Sequence, residues 1–227
     1  MGNSMSQLLV PRLFQVRRCT RPTCRLRFTT EAADHRALRC PVCRAVTEPV
    51  GPPYPQAAIP AREAAPGKGP HLEVLLDNIR SAWNVGSILR SADGAGVRHV
   101  HLCGVSPTPD HPKVAKTALG AEQSLPWSFY PDGLAAAYAM KERGLRLWAL
   151  EGGERSASLF EVGDDEPGAA LGLIVGNELT GVDPGLLELC DRVVHLPMLG
   201  TKGSLNVAVA FGIAVYFIRF GRYPSTV

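Results

Sequence analysis

The sequence predicts an α/β domain with a largely parallel sheet, preceded by a small module held by cysteines. Three observations carry this reading. From His71 onward, short apolar runs alternate with helix-periodic stretches, the pattern of repeated strand–helix units. Four of the six cysteines fall in residues 12–48, in two close pairs. Between these regions, residues 49–70 hold seven prolines and no apolar period, which reads as an extended linker. The expected organisation is therefore a four-cysteine zinc ribbon over 12–48, a linker over 49–70 and a main domain over 71–227.

In the main domain, strands are expected at Leu72–Leu76, Val97–Cys103, Leu145–Leu150, Gly172–Val175 and Val193–Leu196. Helices are expected at Val85–Ala95, Gly133–Arg143, Pro184–Leu189 and Leu205–Phe220. The first helix carries Val85, Ile88, Leu89 and Ala92 on one stripe, the 3.6-residue period. Asn84 is well placed to cap it. Asp183 before Pro184 gives an N-cap followed by proline at the first helical position. Ser204 is a candidate cap for the last helix, which is apolar almost all round and so belongs deep inside the fold or against a second chain.

With 227 residues, 45% hydrophobic and 20% charged, the chain has ample material for a core. Leu205–Phe220 is the one long apolar run, and Asn206 with Gly212 marks it as a buried helix rather than a membrane span. Pro11, Arg12, Arg17 and Arg18 interrupt any signal-peptide pattern. A cytoplasmic protein without a membrane partner is expected.

The charge is uneven. Residues 1–50 hold nine arginines and three acidic residues, a balance of +6, whereas residues 51–227 balance at −3. An Arg-rich head suits forked contacts to phosphate, although a solvated charged face has the same composition.

Four residues separate Cys19 from Cys24, two separate Cys40 from Cys43, and fifteen lie between the pairs. Short spacing lets one turn present two sulfurs, so two such knuckles make a tetrahedral four-thiolate site for zinc. Phe28, Leu26 and Leu38 are too few to fill a core, and a metal would supply much of the folding energy. Two disulfides are the alternative, but they require an oxidising compartment. The ribbon serves either as a structural clip or as an RNA-gripping module through Arg17, Arg18, Arg21, Arg25 and Arg27. Cys103 and Cys190 read as inert core residues.

Three stretches of the main domain are rich in residues that packing would not choose. Asp77–Ala92 passes from a strand through a polar loop into a helix with Asn84, Gly86 and Arg90. Ile174–Val182 runs from a strand into a glycine-flanked loop with Gly176, Glu178 and Gly181, the place where open α/β sheets bind ligands. Leu196–Val207 leaves a strand at Pro197 and enters a helix through Met198, Gly200, Gly203, Ser204, Leu205 and Asn206. Its amides suit a small polar ligand, yet it fits neither a Walker loop nor a dinucleotide fingerprint.

Taken in order, N-x-G-x-x-x-R at 84–90, G-x-E-x-x-G at 176–181 and P-M-x-G-x-x-x-S-L-N-V at 197–207 resemble the SpoU (TrmH-type) RNA 2′-O-ribose methyltransferases of the SPOUT superfamily. Lys116–Ala121 looks like that family's lysine segment. The resemblance spans about 71–220. It implies a SPOUT-type parallel sheet flanked by helices, a C-terminal trefoil knot and a homodimer with the active site near its interface. It further implies S-adenosylmethionine as methyl donor, and tRNA or rRNA as the RNA partner.

Carried over by position, Gly176, Leu196 and Leu205 would contact the donor, with Met198, Ser204 and Asn206 in the same pocket. Asn84, Arg90, Glu178 and Asn206 match the family's catalytic polar set. Arg90 would act either as general base or as a clamp on the neighbouring phosphate and the developing alkoxide. Two alternatives stand beside this reading: a catalytically idle RNA-binding protein on the same scaffold, and a knotted enzyme methylating a base nitrogen.

Overall fold

The computed structural model describes residues 12–56, 70–163 and 169–221. The chain forms two compact units, Met1–Ala64 and Ala65–Val227.

The first unit is a small antiparallel sheet of β1 (Leu13–Cys19), β2 (Arg27–Glu31), β3 (Thr47–Pro49) and β4 (Tyr54–Pro55), with a 3-10 turn at His35–Leu38. Strand β1 pairs with all three others. The first cysteine pair sits in the turn of the β1–β2 hairpin, where Cys19 N–H donates to Leu26 O at 2.8 Å. Part of the stretch expected as linker is therefore sheet. Tyr54 stands opposite Phe14, with their rings 6.2 Å apart. Proline is tolerated in so short an edge strand. Residues 57–69 of the expected linker lie outside the described residues. Few apolar side chains are buried here, chiefly Cys19, Ala37 and Cys40.

The second unit is a seven-stranded sheet in which every pairing is parallel. In chain order its elements are β5 (Leu72–Asp77), α1 (Ala82–Gly94), β6 (His99–Cys103), α2 (Pro112–Ala118), α3 (Ala121–Ser124), β7 (Trp127–Tyr130) and α4 (Gly133–Glu142). There follow β8 (Arg146–Leu150), β9 (Ala157–Ser158), β10 (Leu171–Val175), α5 (Pro184–Leu189), β11 (Arg192–His195) and α6 (Val207–Tyr216), which ends in a π-helical turn at Phe217–Gly221. The strand order is β7-β6-β5-β10-β8-β11-β9. The central strands β5 and β10 are buried along their whole length, as apolar runs in a sheet covered on both faces should be. Leu72, Val74 and Leu76 point into one core with α1, α2 and α6. Leu75 and Ile174 point into the other, with Ala136, Ala137 and Met140 of α4 and Leu186 of α5.

The expected strands and helices are present with ends shifted by up to three residues, and three details differ. Ser81, not Asn84, caps α1, so Asn84 lies within its first turn. Asn206, not Ser204, caps α6, its Oδ1 accepting from Ala208 N–H at 2.9 Å and Val209 N–H at 3.4 Å. Helices α2 and α3 and strands β7 and β9 go beyond the expected set; each is too short to display a period.

Candidate active site and candidate metal centre

Because the strands run parallel, the loops leaving β5, β8, β10 and β11 gather at one edge of the sheet. Those after β8, β10 and β11, with the start of α6, enclose a cleft of about 610 Å³. Gly176, Glu178, Leu196, Met198, Ser204, Leu205 and Asn206 all line it, together with Leu150, Glu151, Asn177, His195 and Ala210. Asn84 joins this group through hydrogen bonds. Arg90 does not: it stands exposed on α1, away from the cleft lining.

The loop after β10 is folded tightly on itself. Asn177 and Gly181 exchange backbone hydrogen bonds at 2.9 and 3.0 Å, and Asn177 Oδ1 accepts from Leu179 N–H at 2.8 Å. A Cβ on Gly176 would lie 2.3 Å from Gly181 C and Val182 N, so only glycine permits this crossing. Glu151 at the end of β8 braces the loop, with Oε2 accepting from Val182 N–H at 2.9 Å. Asn177 Nδ2 ties it to the β5 loop through Asn78 O at 2.7 Å.

That brace presents Glu178 to the start of α1. Its Oε2 accepts from Arg80 N–H at 2.9 Å, and its Oε1 accepts from Ser81 N–H at 3.1 Å and Asn84 Nδ2 at 2.9 Å. Burial raises the Glu178 carboxyl, but these donors outweigh it and hold the group below the usual carboxylate range. A carboxylate at a helix N-terminus also meets the positive end of the helix dipole. On the other side, Asn206 Nδ2 donates to Asn84 Oδ1 at 3.2 Å. Glu178, Asn84 and Asn206 thus form one polar line along the cleft rim. Among the described residues, no backbone N–H from Met198 to Leu205 donates within the chain, so that loop offers free donors beside the apolar walls of Leu150, Val175 and Leu196. Such a cleft suits a nucleoside-sized ligand with a flat ring and polar ends.

Sequence reasoning missed Glu151 and Asn177. Glu151 had a readable signal, since it follows a strand at the carboxyl edge of the sheet. Asn177 reads as an ordinary turn residue until its two side-chain partners are known.

In the first unit, the sulfurs of Cys19, Cys24, Cys40 and Cys43 all lie within 4.8 Å of one another. Cys19 and Cys43 are 3.4 Å apart, and Cys24 and Cys40 are 3.8 Å apart. A disulfide needs about 2.05 Å, whereas a regular tetrahedron with ~2.3 Å metal–sulfur bonds has edges of about 3.8 Å. Backbone N–H groups of Cys43 and Val42 donate to the Cys40 sulfur and lower that thiol to about 6, while burial pushes Cys19 up to about 12. Amides aimed at sulfur favour thiolate, so this donor set fits a metal ion.

The SpoU rRNA Methylase family matches residues 71–216. A tRNA (guanosine(18)-2′-O)-methyltransferase of Thermus thermophilus is 35% identical over 147 residues, covering 65% of this chain and 73% of that protein. The 23S rRNA (guanosine-2′-O-)-methyltransferase RlmB of Xanthomonas axonopodis pv. citri is 33% identical over 154 residues, covering 68% of this chain and 59% of that one. The crystal structure of the SpoU methyltransferase AviRb of Streptomyces viridochromogenes, in complex with the cofactor AdoMet, matches with a TM-score of 0.60 at 26% identity, over 80% of this chain and 70% of that one.

Proposed function

Because the chain belongs to the SpoU rRNA methylase family, we propose that it transfers a methyl group from S-adenosylmethionine to a ribose 2′-hydroxyl of tRNA or rRNA. The observation that carries this reading is the line Glu178–Asn84–Asn206 at the rim of a nucleoside-sized cleft.

Gly176, Leu196, Met198, Ser204 and Leu205 would hold the donor, with the free amides of the 198–205 loop turned to its polar groups. When bound, S-adenosylmethionine supplies an electrophilic methyl on a sulfonium. Glu178 fixes the entry of α1, and Asn84 and Asn206 orient polar groups of donor and ribose. A guanidinium carries five donors and no acceptor, so Arg90 is assigned to hold substrate phosphate and stabilise the developing alkoxide.

Arg90 reaches this work from a neighbouring copy. The exposed residues Val209, Ile213, Tyr216 and Phe220 recur on α6 at steps of four, three and four, an apolar stripe that supports a homodimer. Helix α1 packs beside it, with the Cβ position of Gly94 closing on Tyr216 and that of Gly212 on Ser91, so Arg90 lies next to the stripe. The C-terminal part, whose last helix α6 packs against α1, is read as a trefoil knot. The four cysteines hold zinc, and the ribbon assists RNA docking. The tRNA- and rRNA-modifying relatives support a cytoplasmic location. No helix among the described residues is long and apolar enough to cross a membrane.

The test is transfer of labelled methyl from S-adenosylmethionine to total RNA, followed by nucleoside mapping. Label on a 2′-O-methyl nucleotide, lost in Arg90→Ala with donor affinity intact, is expected. Label on a base, no label at all, or full turnover by Arg90→Ala would overturn the assignment.

A further inference from the structure

We propose that Arg21, Arg25, Arg39 and Arg44, displayed on the two cysteine knuckles, form one clamp for RNA backbone phosphate. The inference rests on the RNA methyltransferase reading for the identity of its ligand, and it names which arginines of the ribbon make the contact.

The nine arginines of the head divide into two sets. Four are committed within the unit. Arg17 donates to Thr47 Oγ1 and Thr47 O, both at 2.8 Å. Arg18 pairs with Glu48 at 2.9 Å, Arg36 with Asp34 at 2.9 Å and Arg12 with Glu31 at 3.5 Å. These three carboxylates are all the acidic residues of the head. Arg21, Arg25, Arg27, Arg39 and Arg44 are exposed and make no side-chain hydrogen bond or ion pair among the described residues. Among the described residues, the unit holds no carboxylate left over to pair with them.

Four of these five lie on the knuckles, and the knuckles converge. Arg21 and Arg25 bracket the turn before and after Cys24, while Arg39 and Arg44 bracket Cys40 and Cys43. With all four sulfurs within 4.8 Å, the two turns are pinned to one point. The turns are also equivalent. Arg25 N–H closes onto Arg21 O at 3.0 Å, and Arg44 N–H closes onto Cys40 O at 2.9 Å, each four residues back. Both Arg25 and Arg44 sit in the left-handed region, at φ 48° and 61°. Glycine occupies that conformation free of strain and arginine does not. The same side chain therefore stands at both strained tips, where packing asks for none, and it is the side chain whose fork matches phosphate.

The chemistry around the tips selects the class of contact. Pro22, Thr23, Pro41 and Val42 are exposed and offer no aromatic platform for stacking a base. The clamp accordingly reads charge and spacing and carries no sequence preference. Zinc would set the distance between the two arginine pairs, so the clamp exists only in the metal-loaded ribbon.

The experiment uses the full-length, zinc-loaded protein and a fluorescein-labelled 20-nucleotide RNA hairpin, with affinity followed by anisotropy from 50 to 300 mM KCl. The informative variant is R25G/R44G, because glycine relieves the backbone while removing both guanidiniums. Its zinc content and resistance to chelator should equal or exceed those of the wild type. Affinity should fall about tenfold or more at 100 mM salt, with the slope of log K against log salt reduced by roughly 1.4 to 1.8, about 0.7–0.9 for each phosphate that is no longer neutralised. The control R12A/R36A, drawn from the ion-paired set, should stay within about threefold of the wild type because exposed paired arginines contribute little. An R25G/R44G protein that binds zinc and S-adenosylmethionine normally and matches wild-type affinity and salt slope overturns the clamp and leaves the methyltransferase reading standing. A wild-type protein that binds neither the hairpin nor S-adenosylmethionine overturns both.

Discussion

Asn206 Nδ2 donates to Asn84 Oδ1 at 3.2 Å, joining the first turns of two helices across 122 positions of the chain. Asn84 Nδ2 in turn donates to Glu178. The direction is fixed by its end, because an ionised carboxylate only accepts. Asn84 must therefore give to Glu178 and receive from Asn206, and Asn206 Oδ1 is left to cap α6. A carboxamide is the side chain that both donates and accepts at the two middle positions.

Asn206 carries two duties that substitution can separate. Serine keeps the cap on α6 but is too short to reach Asn84. Asn206→Ser should change unfolding free energy by no more than about 0.5 kcal/mol, while Asn206→Ala should lose about 1 kcal/mol with the cap. Both should slow methyl transfer by roughly tenfold to a hundredfold, the cost of a misplaced polar group. Urea unfolding paired with single-turnover rates separates the two effects. Wild-type turnover by Asn206→Ser would reduce the Asn84 contact to architecture.

Gly176 is the position where one methyl group should do most harm. Its Cβ would meet backbone atoms of Gly181 and Val182, which cannot rotate aside. Gly176→Ala should cost about 2–3 kcal/mol, at the upper end for overpacking, and should weaken S-adenosylmethionine binding because the loop carrying Glu178 must shift. Gly200→Ala is the control, since nothing lies within 4 Å of its Cβ position. Thermal unfolding and calorimetry check both; a Gly176→Ala protein with native donor affinity would show that the loop moves without consequence.

The regions rich in local signal were legible from sequence. Strands β5 and β10 are apolar runs, α5 announces itself with Asp183–Pro184, and the knuckles are written in cysteine spacing. What sequence could not give was partnership at long range. Asn84 reads as a helix cap because asparagine caps helices, yet Ser81 accepts from Asn84 N–H and frees the Asn84 side chain for Glu178, 94 positions away. Strand β4 is hidden by its prolines, and β7 is a four-residue edge strand with no fully buried position. Arg90 matches the family motif by position, but its place beside the α6 stripe rather than in the cleft depends on helix packing that no local pattern encodes.

Glu73 on β5 is buried away from the cleft, its side chain 2% exposed, and it is held by three donors. Arg143 donates to both oxygens at 2.8 and 2.6 Å, His71 Nε2 donates at 2.9 Å and His101 Nε2 at 2.8 Å. Burial raises the carboxyl, but the bonds from Arg143, His101 and His71 more than reverse this and hold it at about 2, against an ordinary 4.5. A depressed carboxylate contributes stability that is complete above pH 4.5 and is lost as pH falls toward 2. Burial also lowers His99 and His101 from 6.5, so both resist protonation in the folded state and add a loss below that pH. Glu73→Gln isolates the carboxylate. At pH 7 it should be less stable by about 3 kcal/mol, the low end for a broken buried pair because Arg143 is half exposed. The gap from the wild type should hold between about pH 5 and 7 and narrow steadily from about pH 4.5 to 2.5, as urea titrations at each pH will measure. A gap that stays constant down to about pH 2.5 would mean that the carboxylate keeps its ordinary affinity for protons and that shape, not charge, makes Glu73 fit.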